Sequence, residues 1–271
     1  MIYAMSDIHG CMDELEKQME YVELEGDNRI VFLGDYIDYG RKSCQVLEFI
    51  KALQDEHGKE KVVVLKGNHE EMFLEWIADF TGSYRLELEA LAYDSWLKTD
   101  SEHRFNTFRT FVPEGEFDKF EEYCRKASFV EMNQKAVQIL KERHSGLIKW
   151  IKDMPSFYET DTQIFVHAGV DEEAGEYWKW GSSDEVLLWR FPAVFGKFLK
   201  IVVAGHVGTG SIAHDRYFHD VYFDGQSHYY IDGSVYKHGK LLLLVYDDND
   251  KCYYQMDSGR KNKVRKFERY R

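Results

Sequence analysis

The stretch Gly34-Asp35-Tyr36-Ile37-Asp38, which follows the apolar run Arg29–Leu33, decides the fold class of this 271-residue chain. Two more apolar runs near the N-terminus end in polar loops of the same kind, Ser6-Asp7-Ile8-His9-Gly10 and Gly67-Asn68-His69-Glu70. A segment with apolar residues at helical spacing follows each loop. This β-α-β-α-β-α order predicts an α/β fold with a mostly parallel sheet. The three loops would then meet at the carboxyl ends of the strands, where open α/β sheets bind ligands.

The middle of the chain has a different pattern. From about residue 84 to residue 154 it is mostly helical, with Arg, Glu and aromatic residues mixed on its surface. We interpret this segment as a helical insertion within a single domain that spans residues 1–271. It could shape a substrate cleft as a cap, or it could simply cover the sheet, and the sequence does not decide between these two roles.

The strand pattern returns after the helical segment. Ile164–Val166 leads into His167-Ala168-Gly169, and Ile201–Ala204 leads into Gly205-His206. The later strands are expected to be successive antiparallel strands with Gly and Asp turns. They are predicted at Tyr217–Phe223, His228–Asp232, Leu241–Tyr246 and Lys251–Met256.

The charge of the chain limits its partners. The net charge is −13 and the pI is about 5.3, so the overall field repels nucleic acid, anionic membranes and phosphate-rich substrates. The tail Arg260–Arg271 is basic, but such a run is usually a solvated segment. Phosphate chemistry would therefore need local positive charge, for which bound metal ions are the natural source.

No part of the sequence indicates a membrane or an oxidising compartment. The N-terminus lacks a basic segment followed by an apolar run, and the apolar stretch near Leu241–Tyr246 is too short to span a bilayer. The four cysteines are scattered without a CxxC pair. We therefore expect a cytoplasmic protein with reduced thiols and no membrane partner.

Five loops, each directly after an apolar strand, carry side chains of the kinds that bind metal ions. Their carboxylate, imidazole and amide groups suit Mn²⁺, Fe or Zn²⁺ better than Ca²⁺. The candidate ligands are Asp7, His9, Asp35, Asn68, His167 and His206. A carboxylate such as Asp35 could bridge two ions, which would clamp the oxygens of a phosphoryl group.

These motifs resemble the signature of the calcineurin-like metallophosphoesterases. The order Asp-Ile-His-Gly, Gly-Asp-Tyr-Ile-Asp, Gly-Asn-His-Glu, His-Ala-Gly and Gly-His is similar in particular to the phosphoprotein phosphatase branch, including its bacterial and phage members. The motifs extend from Asp7 to His206, and as a set they are specific. The resemblance implies a sandwich of mixed β-sheets flanked by helices, with a helical cap, and a binuclear metal centre.

The resemblance also implies a role for each motif residue. The first metal ion would be bound by Asp7, His9 and Asp35, and the second by Asp35, Asn68, His167 and His206. Hydrolysis would use a hydroxide that bridges the two ions, for which the resemblance implies Mn²⁺. His69 would protonate the leaving oxygen, and Asp38 would orient His69, as a carboxylate does for a catalytic imidazole. Asn68 would also contact the substrate.

One position departs from the family pattern. Gly-Asp-x-x-Asp is normally followed by Arg-Gly, with the Arg binding phosphate, whereas this chain has Tyr39-Gly40. Tyr39 cannot make the charged, bidentate contact of an Arg. Arg41 or Arg190 is expected to bind the substrate phosphate instead, with Lys66 as a weaker candidate.

Three functions follow from these observations. The leading interpretation is a metal-dependent hydrolase of phosphate monoesters that resembles serine/threonine phosphoprotein phosphatases. The alternative is a hydrolase of dinucleoside polyphosphates such as diadenosine tetraphosphate, and the altered Arg position keeps it open. A catalytically inactive scaffold is the third hypothesis, although no expected ligand is missing. The expected partner is a phosphorylated substrate, either a phosphoprotein or a small phosphate ester or anhydride.

Overall fold

The computed structural model describes residues 1–81, 88–103 and 106–268. Within these ranges the strands form two sheets. The strands are β1 (Ile2–Met5), β2 (Arg29–Phe32), β3 (Val62–Val64), β4 (Phe157–Glu159), β5 (Gln163–Val166), β6 (Ile201–Ala204), β7 (Tyr222–Phe223), β8 (His228–Tyr230), β9 (Leu243–Asp247), β10 (Cys252–Asp257) and β11 (Arg260–Lys263). The α-helices are α1 (Met12–Met19), α2 (Ser43–His57), α3 (Asn68–Asp79), α4 (Leu88–Tyr93), α5 (Trp96–Glu102), α6 (Glu114–Cys124), α7 (Phe129–Lys152), α8 (Trp178–Gly181), α9 (Asp184–Trp189), α10 (Thr209–Ala213) and α11 (Val235–His238).

The first sheet contains the N-terminal strands. Its order is β11-β10-β9-β1-β2-β3. β1, β2 and β3 are parallel, as predicted, with Met5 opposite Phe32 and Phe32 opposite Val64. β9 runs antiparallel to β1, and β10 and β11 extend this antiparallel part. The sheet is therefore mixed, and its parallel part carries the first three polar loops.

The second sheet corrects one expectation. Its order is β4-β5-β6-β8-β7. We expected His228–Asp232 to belong to a set of antiparallel strands, but β8 runs parallel to β6, with Val203 opposite Tyr229. The connection explains this, because α10 lies between the two strands in sequence and a helical crossover joins parallel neighbours. Antiparallel pairing holds for β7 with β8 and for β9 with β10, and these two pairs lie in different sheets.

Apolar side chains fill three layers. Between the sheets, Ile2, Ala4 and Val31 belong to the same buried cluster as Val203 and Tyr229. Because side chains alternate along a strand, the other residues of β1 and β2 face the helices that cover the first sheet. A third cluster joins the second sheet to its own helices. The result is a sandwich of two mixed sheets flanked by helices, which confirms the predicted fold class.

The helical segment between the third and fourth loops contains α4 to α7. The predicted start of the insertion, at residue 84, lies outside the described residues, and α7 ends at Lys152, close to the predicted end. α7 begins with a capping box, in which Ser128 and Glu131 satisfy each other's backbone N–H groups. Among the residues in the three described ranges, no helix combines the length and the apolar character that a membrane span requires.

Candidate active site

The carboxyl ends of four strands and the start of one helix bring the predicted ligand residues together. Asp7 and His9 follow β1, Asp35 follows β2, and Asn68 begins α3. His167 follows β5 and His206 follows β6, so the second sheet supplies the last two. All of these side chains are buried except His206, which is partly exposed.

Asp35 lies at the centre of the group. Its Oδ2 atom is 3.7 Å from His9 Nε2 and 3.5 Å from His167 Nε2. Its Oδ1 atom accepts the backbone N–H of His69 at 3.1 Å. Burial raises the pKa of Asp35, but the neighbouring histidines outweigh burial and hold this pKa below its usual range. An ionised carboxylate between imidazoles of both sheets is the arrangement that a bridging ligand requires.

Two histidines are oriented by bonds from their other ring nitrogen. His9 Nδ1 donates to the carbonyl of Ile37 at 2.8 Å, and His167 Nδ1 donates to the carbonyl of Leu33 at 2.9 Å. Since Nδ1 carries the proton in each ring, Nε2 presents its lone pair to Asp35. Burial lowers the pKa of His9 to about 4 and also lowers the pKa of His167. Neutral imidazoles held in this way are typical metal ligands.

Asn68 joins the two histidines of the second sheet. Its Oδ1 atom lies 2.8 Å from His167 Nε2 and 3.1 Å from His206 Nδ1. Burial lowers the pKa of His206 to about 4, so this ring is also neutral near pH 7. The amide oxygen and both imidazoles therefore point at one small region next to Asp35.

Asp7 lies beside His9, outside the groups of ligand atoms that lie closest together. Its carboxylate accepts the backbone N–H of His206 at 3.0 Å, and its Oδ1 atom is 4.0 Å from His9 Nε2. The ligand atoms that lie within 4.8 Å of one another belong to His9, Asp35 and His69 in one group and to Asp35, His167 and His206 in the other. Asp35 is common to both groups. The donor set therefore fits two ions that share one carboxylate.

Asp232 is a further buried carboxylate that the sequence analysis missed. Burial raises its pKa to about 6, and burial together with Asp232 and Asp35 raises the pKa of Asp7 well above its usual range. Asp232 directly follows the apolar residues of β8, so the rule that identified the other loops could have found it. Three buried carboxylates close together favour a bound cation, because burial of like charges is costly without one.

Five predicted site residues have a left-handed backbone conformation. The φ angle is 56° at Asp7, 47° at His9, 59° at Asp35, 71° at Asp38 and 62° at His206. Residues with a Cβ rarely adopt this region, although Asp, Asn and His tolerate it best. Such conformations persist only where the surrounding structure enforces them, and they are concentrated at functional sites.

Glu70 enforces the conformation of the second loop. Its buried carboxylate accepts the backbone N–H groups of Asp35 and Tyr36 at 2.8 Å each, of Gly67 at 3.0 Å and of Ile37 at 3.3 Å. Burial raises its pKa to about 7. The sequence analysis gave Glu70 no role, although a Glu at the third position of a helix is a known capping signal.

His69 and Asp38 form a hydrogen-bonded pair beside the ligand groups. His69 Nδ1 lies 2.6 Å from Asp38 Oδ2, and His69 Nε2 lies 3.9 Å from Asp35 Oδ2. Burial lowers the pKa of His69, but Asp35 and Asp38 outweigh burial and raise this pKa to about 9. The imidazole therefore carries a proton near pH 7, which suits a general acid.

Two residues of the helical segment hold Asp38 in place. The indole N–H of Trp96 donates to Asp38 Oδ2 at 3.1 Å, and the hydroxyl of Thr107 donates to Asp38 Oδ1 at 2.8 Å. The sequence analysis did not identify either residue. Trp96 and Thr107 are 58 and 69 residues away from Asp38 in the chain, so no local motif connects them.

Aromatic rings occupy the position where the family pattern has an Arg. Tyr39 packs edge-on against His9 and His69, with ring centroids 4.8 and 5.3 Å apart. It also stacks on Tyr236 of α11 at 4.2 Å. Tyr39 thus lies over the candidate metal centre, but it brings no positive charge there.

The candidate phosphate-binding cations have different surroundings. Arg41 is exposed and makes no hydrogen bond or ion pair with the part of the chain that the structure describes. Arg190 is partly buried and donates to the carbonyl of Val170 at 3.3 Å, and its stem packs against Gly169, two residues after His167. Lys66 pairs with Glu71 at 2.7 Å. Arg190 thus packs against the loop that carries His167, whereas Lys66 is already paired and Arg41 is exposed.

Comparison with known protein families identifies the family to which this chain belongs. The family model for calcineurin-like phosphoesterases matches residues 1–209, which is most of the chain and includes every predicted site residue. The chain therefore belongs to the calcineurin-like phosphoesterase family and is a metallophosphoesterase.

Similar proteins carry several names. A symmetrical bis(5'-nucleosyl)-tetraphosphatase of Buchnera aphidicola is 33% identical over 87 residues, which are 32% of this chain and 30% of that protein. An enzyme of the same name from Aliivibrio fischeri is 28% identical over 177 residues, 62% of each chain. The alignments thus span less than two thirds of these relatives. A cold-active protein tyrosine phosphatase superposes with a TM-score of 0.58 at 15% identity, covering 98% of this chain and 78% of that one, which supports the fold.

Proposed function

We propose that this protein is a metal-dependent phosphomonoesterase with a binuclear centre, similar in activity to serine/threonine phosphoprotein phosphatases. The observation that carries the proposal is the His69–Asp38 pair, 2.6 Å between Nδ1 and Oδ2, next to Asp35, which is common to both ligand groups. A proton donor next to a cation site is what hydrolysis of a phosphate ester requires.

One set of side chains would bind the metal ions that the reaction needs. Two divalent cations would be held by Asp7, His9, Asp35, Asn68, His167 and His206, with Asp232 close to Asp7. When bound, such cations neutralise phosphoryl oxygens and make water a better nucleophile at neutral pH. Mn²⁺ is the proposed ion, and Fe or Zn²⁺ suits the same ligands.

His69 would act on the leaving group. Asp38 accepts from Nδ1 of the ring, which directs Nε2 toward the substrate and favours its protonated form. As the ester bond breaks, Nε2–H would donate its proton to the departing alkoxide, and the ring would then regain a proton from solvent. Asn68 and Arg190 would orient the phosphoryl oxygens, and Arg41, which is exposed, would do so only if its side chain turned inward.

The alternative substrate is a dinucleoside polyphosphate. The names of the Buchnera and Aliivibrio relatives support it, since both are called symmetrical tetraphosphatases. The Asp38–His69 pair and Glu70 support the monoester, because these residues belong to the motifs that resemble the phosphoprotein phosphatases.

The test uses protein stripped of metal and then loaded with Mn²⁺. We expect release of phosphate from p-nitrophenyl phosphate and from phosphoserine or phosphothreonine peptides, and slower cleavage of diadenosine tetraphosphate, followed by chromatography of the products. Cleavage of the tetraphosphate alone would establish the alternative. Absence of both activities in protein shown to contain metal would revive the inactive-scaffold hypothesis.

A further inference from the structure

A cavity opens directly beside the proposed general acid. It lies between α3 and the helices α4 and α5, and its volume is about 550 Å³. Asp38, Tyr39 and His69 form one end of its wall. The cavity is thus continuous with the candidate active site, and its size is in the range of small-molecule sites.

We propose that this cavity binds the leaving group of the substrate and selects phosphate monoesters whose alcohol has an apolar or aromatic body and no negative charge. The inference rests on the proposed function and names its substrate class more closely.

The position of His69 supports the assignment. A general acid must come within hydrogen-bond distance of the oxygen that it protonates. In the proposed reaction His69 protonates the leaving oxygen, and His69 is part of the cavity wall. The rest of the leaving group then extends into the cavity, because the phosphoryl group occupies the opposite side of His69, next to Asp35.

The wall offers apolar surface to that group. Trp76, Phe80, Leu91 and Trp96 line the cavity together with Met72. The indole N–H groups of Trp76 and Trp96 are already bound to Asn133 and Asp38, so the rings keep fixed orientations. Fixed aromatic rings suit an aromatic or aliphatic leaving group, which they bind through burial of apolar area.

The negative charge of the cavity wall disfavours an anionic leaving group. Glu75 and Asp94 are exposed on the wall and form no hydrogen bond or ion pair with the residues that the structure describes. The described part of the wall contains no Lys or Arg. A like charge about 4 Å away costs roughly 1 kcal/mol in water. Each carboxylate would therefore weaken the binding of an anionic leaving group about fivefold.

This selectivity would separate the two candidate functions. The alcohol part of a phosphomonoester can be neutral or cationic, whereas cleavage of a dinucleoside polyphosphate expels a nucleotide that carries phosphates of its own. The exposed carboxylates of Glu75 and Asp94 disfavour the nucleotide and accept the neutral or cationic alcohol.

The experiment compares two esters with similar phenols and opposite charge. The phosphate ester of tyramine has a cationic leaving group, and the phosphate ester of 4-hydroxyphenylacetate has an anionic one. With the Mn²⁺-loaded protein at low salt, we expect kcat/KM to be at least about tenfold higher for the tyramine ester. The ratio should fall in 0.5 M salt, where the Debye length is on the order of 4 Å, because salt screens exposed carboxylates.

A double variant assigns the preference to the cavity. Glu75→Gln with Asp94→Asn should reduce the ratio to below about threefold. The matched control is Asp118→Asn with Glu121→Gln on α6, which makes the same change in net charge outside the cavity wall and should keep the wild-type ratio. All four side chains are exposed, so both double variants should keep the wild-type Tm.

The outcomes distinguish the leaving-group assignment from the proposed phosphomonoesterase function. Equal kcat/KM for the two esters, or an unchanged ratio in the cavity variant, would overturn the leaving-group assignment and leave the phosphomonoesterase standing. No turnover of either ester by metal-loaded protein would overturn both.

Discussion

At the scale of single residues, four side chains of the site are held by bonds that are separate from their proposed chemistry. His9 and His167 donate to backbone carbonyls, Asp35 accepts a backbone N–H, and His69 is fixed by Asp38. Side chains oriented in this way need little rearrangement to bind a cation or to transfer a proton.

Replacement of the proposed acid tests its role directly. His69→Asn should lower kcat by roughly 10²–10⁴-fold, since general acid catalysis contributes on that scale. The metal content, measured by mass spectrometry of the purified protein, should stay at the wild-type value. His57→Asn, at the exposed end of α2, is the matched control and should keep full activity. Because His69 lies within reach of one ligand group, loss of one metal ion would show instead that it is a ligand.

The shared carboxylate has the largest expected effect on metal binding. Asp35→Ala should lose both ions, because Asp35 is the one residue common to the two ligand groups among the described residues. His206→Ala should lose mainly one ion. Titration of Mn²⁺ by calorimetry would compare the two variants, and equal losses would contradict a bridging role for Asp35.

The sequence predicted that the candidate ligand residues lie close together, because each follows an apolar strand and belongs to a motif. It could not predict Trp96 and Thr107, since their contacts with Asp38 exist only in the folded chain. Asp232 was overlooked because it appeared to continue the β8 strand. The position of the phosphate-binding cation was left open, as Tyr39 broke the motif and nothing local replaced it.

At the scale of elements, the helical segment is joined to the second loop through Asp38. The direction of β8 could not be predicted from the sequence. The helix α10, which lies between β6 and β8, has five residues and is too short to show helical spacing. The parallel strands β1 to β3 were predictable because the helices between them are longer and amphipathic.

Loss of the Thr107 bond should affect catalysis without affecting metal binding. Thr107→Val removes the donor to Asp38 with little change in shape, and we expect kcat to fall about tenfold, the scale of one hydrogen bond to a charged group. The control Thr162→Val lies in an exposed turn and should have no effect. An unchanged kcat for Thr107→Val, at wild-type metal content, would mean that the segment does not position Asp38.

A buried histidine between two carboxylates in the second sheet should make the stability of the protein depend on pH. His228 of β8 lies between Glu172 at 2.8 Å and Asp224 at 2.9 Å. Burial lowers the pKa of His228, but the two carboxylates outweigh burial and raise it. A raised pKa means that the stabilisation is fully present below the ordinary value of about 6.5 and is lost as pH rises through the folded value.

His228→Asn should therefore destabilise the protein more at pH 6 than at pH 9. We expect a loss of about 1.5–3 kcal/mol at pH 6, the range for hydrogen bonds to charged groups. Urea unfolding of the wild type and the variant at both pH values measures the difference, and His57→Asn serves again as the control. A loss of stability that is the same at both pH values would show that His228 is neutral in the folded protein.

At the scale of the whole molecule, the candidate site lies where the two sheets meet. Asp7 of the first sheet accepts from His206 of the second, and His167 donates back to Leu33. A Cβ atom at Gly205 would collide with Ser6 and Asp7, so glycine is required where the sheets approach. Cations at this position would neutralise buried carboxylates and connect both halves of the sandwich.

Metal binding should accordingly stabilise the entire fold. At a free Mn²⁺ concentration of 100 Kd the gain is about 2.7 kcal/mol for one site, which corresponds to a Tm increase of roughly 5–10 °C for a protein of this size. Differential scanning fluorimetry of metal-free protein with added Mn²⁺ measures it. Asp35→Ala should show little increase, and an equal increase in this variant would indicate that Mn²⁺ binds elsewhere.

The left-handed backbone at Asp7, His9, Asp35, Asp38 and His206 has a consequence for the mutational tolerance of the chain. At these positions Asn or Gly can replace the side chain while the main chain keeps its path, whereas Val, Ile or Thr would force the loop into another conformation. A deep mutational scan for protein abundance should therefore accept Asn and Gly there and reject β-branched residues. A scan for activity should reject both groups, so the two maps together would separate the geometry of these loops from their chemistry.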